Sequence, residues 1–236
     1  MSDTKGKVLE LKKLLEARIA RERDFYSSLD QMPIEEVPFW VVDVETTGGE
    51  VERDRIIEVA AIKIQEEEMK RVISTLVNPG RHIPNYIQRL TGITNRMIAD
   101  APTPEEVYPW LFSHLRQGVF VAHSASFDRG FIDQEAIRLG LEPLSTPNLC
   151  TVRLSRRLIF DINSYSLDSI AWYFGLEFGR ASSPRSRHRA LGDAWVCARA
   201  FLSLLELAKK IGVSTFGELK ELERMPIKKA WRLWKR

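Results

Sequence analysis

Two carboxylates stand two positions apart, Asp43 and Glu45, directly after the apolar run FWVV at residues 39–42. Side chains two residues apart on a strand point to the same face, so the pair can project side by side from the strand's end. Clustered carboxylate oxygens are the ligands that Mg²⁺ and Mn²⁺ prefer over imidazole or thiolate. A solvated acidic pair at a strand end gives the same pattern, so these two residues alone identify no enzyme.

A histidine and an aspartate lie five positions apart at His188 and Asp193. Five residues of α-helix turn through about 500°, so the two side chains cannot share one face of a regular helix. We therefore expect His188 just before a helix and Asp193 in its first turns. The surrounding residues 181–189 are basic and broken by proline, which predicts a mobile loop. The helical spacing predicts a buried face made of Leu191, Trp195, Ala198, Leu202 and Leu205.

Three segments carry these groups in order along the chain: DVETTG at residues 43–48, HSASFDRGF at 123–131 and HRALGDA at 188–194. Together they resemble the three motifs of the DEDDh, or DnaQ-like, family of 3′-to-5′ exonucleases, which includes the proofreading exonucleases of bacterial DNA polymerase III. The resemblance covers about residues 38–205. Three motifs in the expected order are far more specific than any single one.

The resemblance implies a metal site formed by Asp43, Glu45, Asp128 and Asp193, with two Mg²⁺ or Mn²⁺ ions as cofactors. Asp43 would contact both ions, and His188 would act as the general base. The implied reaction is hydrolysis of phosphodiester bonds from the 3′ end of a nucleic acid, releasing nucleoside 5′-monophosphates.

The resemblance also implies a set of substrate-binding residues. They are Thr46, Thr47, Gly48, Ile93 and Phe127. For Ile93, within the turn-like LTGIT, a single packed isoleucine explains the pattern equally well. Two positions depart from the family: Gly49 replaces an apolar side chain that packs on the terminal base, and Ser124 replaces a frequent asparagine. We expect His123 to be structural, because a histidine that ends a strand can orient a loop without doing chemistry.

The elements that must position these residues follow from hydrophobic periodicity. Short β-prone runs at residues 39–42, 55–65 and 69–77 predict an antiparallel meander. One further strand and several helices follow, and they are predicted at residues 104–115, 119–122, 127–139, 152–160, 167–174 and 190–210. This order predicts an α/β fold in which a mixed sheet, an antiparallel meander plus parallel strands, is flanked by helices. The resemblance implies that the sheet is ribonuclease H-like.

The chain divides by composition into three predicted parts: an amphipathic helical extension at residues 1–35, an exonuclease domain at 36–211 and a basic, tryptophan-containing helical tail at 212–236. The extension can pack on the domain or bind a partner. The tail ends in KKAWRLWKR, which suits base stacking and phosphate contact, or docking to a DNA polymerase or another replication or repair protein.

The composition allows one sizeable core, because 44% of the 236 residues are hydrophobic. Apolar runs never approach the length of a membrane span and the N-terminus lacks a signal-peptide pattern, so we expect a cytoplasmic protein without membrane contact. Cys150 and Cys197 lack metal-knuckle spacing and are expected to be reduced, packed thiols. The net charge of +3 is compatible with a polyanionic partner but does not imply one.

Three functions remain open at this stage. A DNA exonuclease is favoured modestly over an RNA-trimming exonuclease of the same fold. A catalytically silent adaptor that binds nucleic acid or a polymerase is a third possibility, but such a protein has no use for clustered, repelling acids. Basic residues beside His188 could neutralise phosphates of the substrate, and they are Arg180, Arg185, Arg187 and Arg189.

Overall fold

The protein is described by a computed structural model over residues 2–179 and 186–235. Its strands are β1 Phe39–Thr46, β2 Ile56–Gln65, β3 Glu68–Leu76, β4 Val119–Ala122 and β5 Asn148–Cys150. Its helices are α1 Ser2–Leu29, α2 Asn85–Thr91, α3 Asn95–Ile98, α4 Pro104–Leu115, α5 Ala125–Arg138, α6 Thr151–Leu158, α7 Leu167–Tyr173, α8 Ala190–Lys210, α9 Phe216–Arg224 and α10 Ile227–Ala230, followed by a short 3-10 helix Leu233–Lys235. None of the described helices is both long and apolar enough to cross a bilayer.

The strands form one mixed sheet in the order β3-β2-β1-β4-β5. The first three strands pair antiparallel, whereas β4 pairs parallel with β1 and with β5. The predicted meander followed by parallel pairing is therefore confirmed. The sequence prediction has no counterpart to β5, α2 or α3, because elements of three to seven residues are too short to show a period.

Alternating side chains of β1 enter two separate parts of the core. Phe39 and Val41 pack on the side that α8 covers, where the Phe39 ring meets Phe201 edge-on at 4.9 Å. Trp40 and Val42 pack on the other side, against α4 and α5. Since each fully buried large apolar side chain stabilises the fold by about 1.5–3 kcal/mol, β1 is fixed firmly between two layers.

Small residues form much of the face of α8 that packs on the sheet, which corrects the buried face predicted above. The fully buried residues of this helix include Ala190, Ala194, Cys197, Phe201, Leu204 and Ala208. Leu191, Trp195 and Leu202 are only half-buried, whereas Ala198 and Leu205 are buried as predicted. Alanine and cysteine let the helix axis approach the sheet closely, so the larger side chains lie toward its flanks.

The segments predicted as an extension and a tail both contribute to the core. At the end of α1, Leu29 is fully buried, and the Tyr26 hydroxyl donates to the Arg116 carbonyl oxygen at 2.8 Å. Phe216 of α9 is also fully buried. Helix α9 is therefore part of the same core.

These two segments are also joined to each other. Residues Pro33 and Thr215 form a β-bridge, and the Gly217 N–H donates to the Asp30 carbonyl oxygen at 3.0 Å. A Cβ on Gly217 would lie 2.7 Å from that same oxygen, so only glycine fits this contact. The segment before β1 and the segment after α8 are thereby held side by side.

Candidate active site

Asp43 and Glu45 continue the face of β1 that α8 covers, because they keep the alternation begun by Phe39 and Val41. Asp193 comes from the first turns of α8 on that same side. One carboxylate oxygen from each of Asp43, Glu45 and Asp193 lies within 4.8 Å of the other two. The structure thus brings together three of the four acids that the sequence motifs single out.

Asp128, the fourth acid, is attached to the backbone of β1. It lies in the first turn of α5, directly after β4, and is buried. Its Oδ1 accepts a hydrogen bond from the Val44 N–H at 3.2 Å. Because Val44 stands between Asp43 and Glu45, this bond fixes the second motif against the first.

Burial and mutual repulsion disfavour the charged forms of all four acids. Loss of hydration raises the pKa of Asp43 well above its usual range, and the neighbouring carboxylates raise it further. The same main cause raises the pKa of Glu45 to about 8, of Asp128 to about 7 and of Asp193 to about 6. Asp193 Oδ1 is buried and accepts no hydrogen bond from the described residues. A divalent cation would relieve both the repulsion and this missing contact, so the donor set fits a metal ion.

Arg187 is the cation that contacts this cluster within the described part of the chain. Its guanidinium forms an ion pair with Asp193 and also donates to the two carboxylate oxygens of Asp168, at 3.0 and 3.3 Å. The positive charge of Arg187 lowers the pKa values of Asp43 and Glu45, against the larger effect of burial. Arg187 therefore compensates part of the negative charge of the carboxylate cluster.

His188 lies just before α8, as the spacing to Asp193 predicts. Its backbone is left-handed, with φ of +60°, a conformation that costs an L residue about 1–2 kcal/mol. Burial, and then the charge of Arg187, lower the pKa of the imidazole. A neutral ring can accept a proton, so His188 has the protonation state of a base. The residues of the predicted loop from 181 to 185 lie outside the described ranges.

A glutamate that sequence reasoning did not single out fixes the start of α8. Glu58 of β2 is buried and lies opposite Glu45 in the strand register. Its carboxylate accepts two hydrogen bonds from Arg189, at 2.6 and 3.0 Å, and one from the Ala190 N–H at 2.8 Å. The sequence feature that could have identified Glu58 is its charge within the otherwise apolar segment IIEVAAI.

Two of the basic residues that could have neutralised phosphates are engaged by acidic side chains instead. Arg189 is engaged by Glu58, and Arg187 by Asp168 and Asp193. The other two residues of that group, Arg180 and Arg185, lie outside the described residues.

A cavity of about 230 Å³ opens beside Glu45. Its lining residues are Val44, Glu45, Thr46, Gly48, Gly49, Tyr86, Ile87, Leu90, Thr91 and Phe127. Thr46, Gly48 and Phe127 are therefore placed beside the acids, as the substrate-binding assignment requires. Ile93 is not, because its side chain is completely buried against Ile57 and Ile83. This corrects its predicted substrate contact.

The turn after β1 is shaped by its own hydrogen bonds. Thr47 Oγ1 donates to Asp54 Oδ1 at 3.0 Å and accepts from the Arg55 N–H at 3.1 Å. The buried Thr47 side chain is thus committed within the turn and does not line the cavity. A Cβ on Gly48 would lie 2.4 Å from the Asp54 carboxylate, whereas a Cβ on Gly49 would meet no described atom within 4 Å. The turn therefore requires glycine at position 48, whereas there is space for a Cβ at position 49.

His123 occupies a structural position. Its Nδ1 hydrogen-bonds with the Thr151 hydroxyl at 2.9 Å, and its Nε2 contacts the Tyr165 carbonyl oxygen at 3.0 Å. Burial lowers the pKa of His123 to about 4. Both ring nitrogens are engaged, which agrees with the structural role expected for this residue.

Comparison with protein families and curated proteins shows matches that differ in extent. The family model described as Exonuclease matches residues 40–201. DNA polymerase III subunit epsilon of Aquifex aeolicus is 37% identical over 187 residues, which are 79% of this chain and 90% of that subunit. The PolC-type DNA polymerase III of Caldanaerobacter subterraneus is 39% identical over 181 residues, 77% of this chain. The match spans only 12% of that polymerase.

Solved structures give a similar result. Exonuclease X in complex with a duplex DNA that carries a 5′ overhang has 28% sequence identity and a TM-score of 0.57. That match covers 72% of this chain and 93% of the other. Exonuclease I of E. coli in complex with a dT13 oligonucleotide has a TM-score of 0.64, covering 75% of this chain and 42% of the other. At 16% identity, this second likeness shows the fold alone.

Proposed function

The chain belongs to the exonuclease family, and from that membership we propose that it is a metal-dependent 3′-to-5′ exonuclease that acts on DNA. The observation that carries this proposal is the convergence of Asp43, Glu45 and Asp193, with Asp128 bonded to the strand between the first two. The products would be nucleoside 5′-monophosphates, released from single-stranded or frayed 3′ ends.

We propose two Mg²⁺ or Mn²⁺ ions as cofactors, held by Asp43, Glu45, Asp128 and Asp193. When bound, such ions act as Lewis acids that activate water and stabilise charge on the leaving oxygen of a phosphodiester. The acids themselves hold the ions, and the burial of Asp128 and Asp193 limits the screening of the site by bulk water.

His188 is the general base of this proposal. Its lowered pKa keeps the imidazole neutral near pH 7, so a ring nitrogen can take the proton of the attacking water. His188 has a left-handed backbone, and the contacts of Glu58 fix the start of α8 directly after it. Both features restrict the position of His188 relative to Asp193 on that helix. Replacing His188 with alanine should reduce the rate strongly while metal binding is kept.

The terminal nucleotide would occupy the cavity beside Glu45. Phe127, Leu90 and Tyr86 expose side-chain surface there, with Leu90 and Tyr86 accessible by 52% and 56%. These side chains can pack on a base and a sugar, while the Gly48–Gly49 turn allows close approach of the backbone. The choice of DNA follows Exonuclease X, whose complex contains duplex DNA.

The name of the Aquifex relative suggests a polymerase partner, and we include a DNA polymerase as a proposed partner of this chain. The surface of α1 or of the C-terminal helices would make the contact. Size-exclusion chromatography with the replicative polymerase of the same host tests this, and separate elution at micromolar concentration would count against it.

The decisive experiment follows a 5′-labelled single strand in the presence of Mg²⁺ or Mn²⁺. We expect a ladder that shortens from the 3′ end and disappears with EDTA or with Asp43→Ala. Asp100→Ala, which removes an exposed aspartate outside the site, serves as the matched control and should cut normally. If the strand is not cut with either metal, the enzyme proposal is wrong and a catalytically silent adaptor is favoured. Faster cutting of the matched RNA instead favours an RNA-trimming exonuclease.

A further inference from the structure

Trp172 is the most exposed large hydrophobic side chain among the described residues, with 80% of its surface accessible. It lies on α7, beside a groove of about 480 Å³. We propose that Trp172 and this groove bind a base of the substrate strand, a few nucleotides away from the bond that is cut. This inference rests on the proposed exonuclease function and adds a binding surface to it.

The position of the groove relative to the carboxylates supports the proposal. Asp168 and Trp172 lie four residues apart on the same face of α7, about 6 Å along the axis. Asp168 accepts from Arg187, and Arg187 pairs with Asp193 of the candidate site. Because each stacked nucleotide advances by about 3.4 Å, a strand whose 3′ end lies among the carboxylates reaches this groove within a few nucleotides.

The chemistry of the groove fits a base. Its lining residues are Asp161, Ile162, Asn163, Ser164, Asp168, Ser169 and Trp172. The indole offers a face for stacking, and the amide, hydroxyl and carboxylate groups can pair with the donors and acceptors on a base edge. The two carboxylates disfavour a phosphate inside the groove itself, so the base rather than the backbone would enter it.

Cations lie near one end of the groove, where they can contact the backbone of such a strand. Phe160, which precedes the lining residue Asp161, packs on the ring of Trp231 at 4.9 Å. Lys228, Lys229 and Arg232 are exposed around that tryptophan. Exposed cations interleaved with an aromatic ring are typical of surfaces that follow a nucleic-acid backbone.

A polypeptide partner fits this surface less well. The central part of a protein interface is depleted in charged residues and enriched in apolar and aromatic ones. Here Ile162 is the one aliphatic side chain that lines the described groove beside Trp172, and two of the seven lining residues are aspartates. Stacking on a base needs only the single indole face.

Two measurements on Trp172→Ala test the inference. The first is the affinity for a long 5′-labelled single strand, measured by fluorescence anisotropy in an Asp43→Ala background with EDTA, so that the strand is not cut. The second is hydrolysis of the p-nitrophenyl ester of thymidine 5′-monophosphate, which is too small to reach the groove. We expect Trp172→Ala to weaken strand binding by about 5- to 150-fold and to leave ester hydrolysis unchanged.

Two further variants make the result specific to stacking. Trp172→Phe keeps an aromatic face and should retain most of the affinity. Trp110→Ala removes another exposed tryptophan, 50% accessible, from α4, whose His114 contacts Arg71 of the edge strand β3. Helix α4 packs on the opposite face of the sheet from α7, so this control should bind the strand as the wild type does.

Unchanged strand affinity in Trp172→Ala overturns the inference, and so does a parallel loss of strand affinity and ester hydrolysis, which would indicate a structural effect. Failure of the proposed function looks different. In that case the wild type hydrolyses neither the ester nor the strand, whereas the anisotropy comparison still reports whether Trp172 contacts nucleic acid.

Discussion

Arg187 forms an ion pair with Oδ2 of Asp193, whose other oxygen, Oδ1, is buried and accepts no hydrogen bond from the described residues. The same guanidinium is anchored on its other side by Asp168. A positive charge is therefore already fixed against the cluster that fits a metal ion. Arg187 and the ion would compete for Asp193.

This competition predicts that Arg187→Gln binds metal more tightly. An ion pair of this kind opposes metal binding by about 1 kcal/mol, which corresponds to about a fivefold gain in Mn²⁺ affinity when it is removed. Calorimetric titration of Mn²⁺ without nucleic acid measures the gain. Arg53→Gln, which removes an arginine 79% exposed on the surface, is the control and should leave the affinity unchanged. Weaker binding by Arg187→Gln would show that the arginine supports the metal site instead.

The raised pKa values of the acids predict how stability depends on pH. A carboxyl group whose pKa is higher in the folded than in the unfolded state binds more protons when folded, so stability falls as pH rises between the two values. For Glu45 this window extends from 4.5 to about 8. In EDTA, the free energy of unfolding measured by urea titration should therefore decrease across that window.

Metal ions and the loss of one acid should both reduce this pH dependence. Saturating Mn²⁺ stabilises the charged carboxylates, so the decrease should become small or reverse. Asp43→Asn removes a half-buried acid from the cluster and should raise Tm in EDTA by about 2–4 °C for each kcal/mol of relieved repulsion. The same variant should lose the stabilisation by Mn²⁺. Equal pH slopes in the wild type and Asp43→Asn would contradict the assignment of the slope to this cluster.

The Glu58–Arg189 pair predicts a large effect on folding. Glu58→Gln leaves the half-buried charge of Arg189 without its counter-charge, and breaking such a pair costs about 3–5 kcal/mol. We expect a clear drop in Tm and in strand cleavage, because Asp193 follows this anchor on α8. The double variant Glu58→Gln, Arg189→Gln removes both charges and should recover part of the lost stability. A single variant as stable as the wild type would refute the anchoring role.

The open space at Gly49 predicts a gain in substrate affinity from a larger side chain. Gly49→Leu adds apolar surface at the cavity beside Glu45 without a clash, and burial of one or two methylene groups gives about 0.8 kcal/mol each. The KM for a single strand should fall by about 4- to 15-fold, measured under steady-state conditions. Gly48→Ala is the contrasting variant, since its Cβ would meet the Asp54 carboxylate, and it should destabilise the protein. A higher KM for Gly49→Leu would mean that the substrate itself needs the space.

The parts of the fold that short-range patterns determine were predictable. The alternation through β1 gave Asp43 and Glu45 a common face, and the spacing of His188 to Asp193 placed the histidine before α8. Contacts between distant parts of the chain were not predictable in this way. Glu58 and Arg189 are separated by 131 positions, and no local period links them.

Side-chain orientation at short elements was the other limit. Ile93 and Leu90 belong to one segment, yet Leu90 faces the cavity from α2, whereas Ile93 follows the left-handed turn at Gly92 that ends this helix and is buried. On α8 we predicted that the largest apolar side chains form the buried face, whereas small side chains form much of the face that packs on the sheet. In both cases the packing partner decides the orientation, and a single sequence does not contain its position.

The bridge between Pro33 and Thr215 ties the segment before β1 to the segment after α8. Leu29 and Phe216, which lie close to the two sides of this bridge, are both fully buried in the same core. Truncation of either segment would therefore open that core to water. The smallest unit that can fold stably thus extends from before Leu29 to beyond Ala230, which is also fully buried.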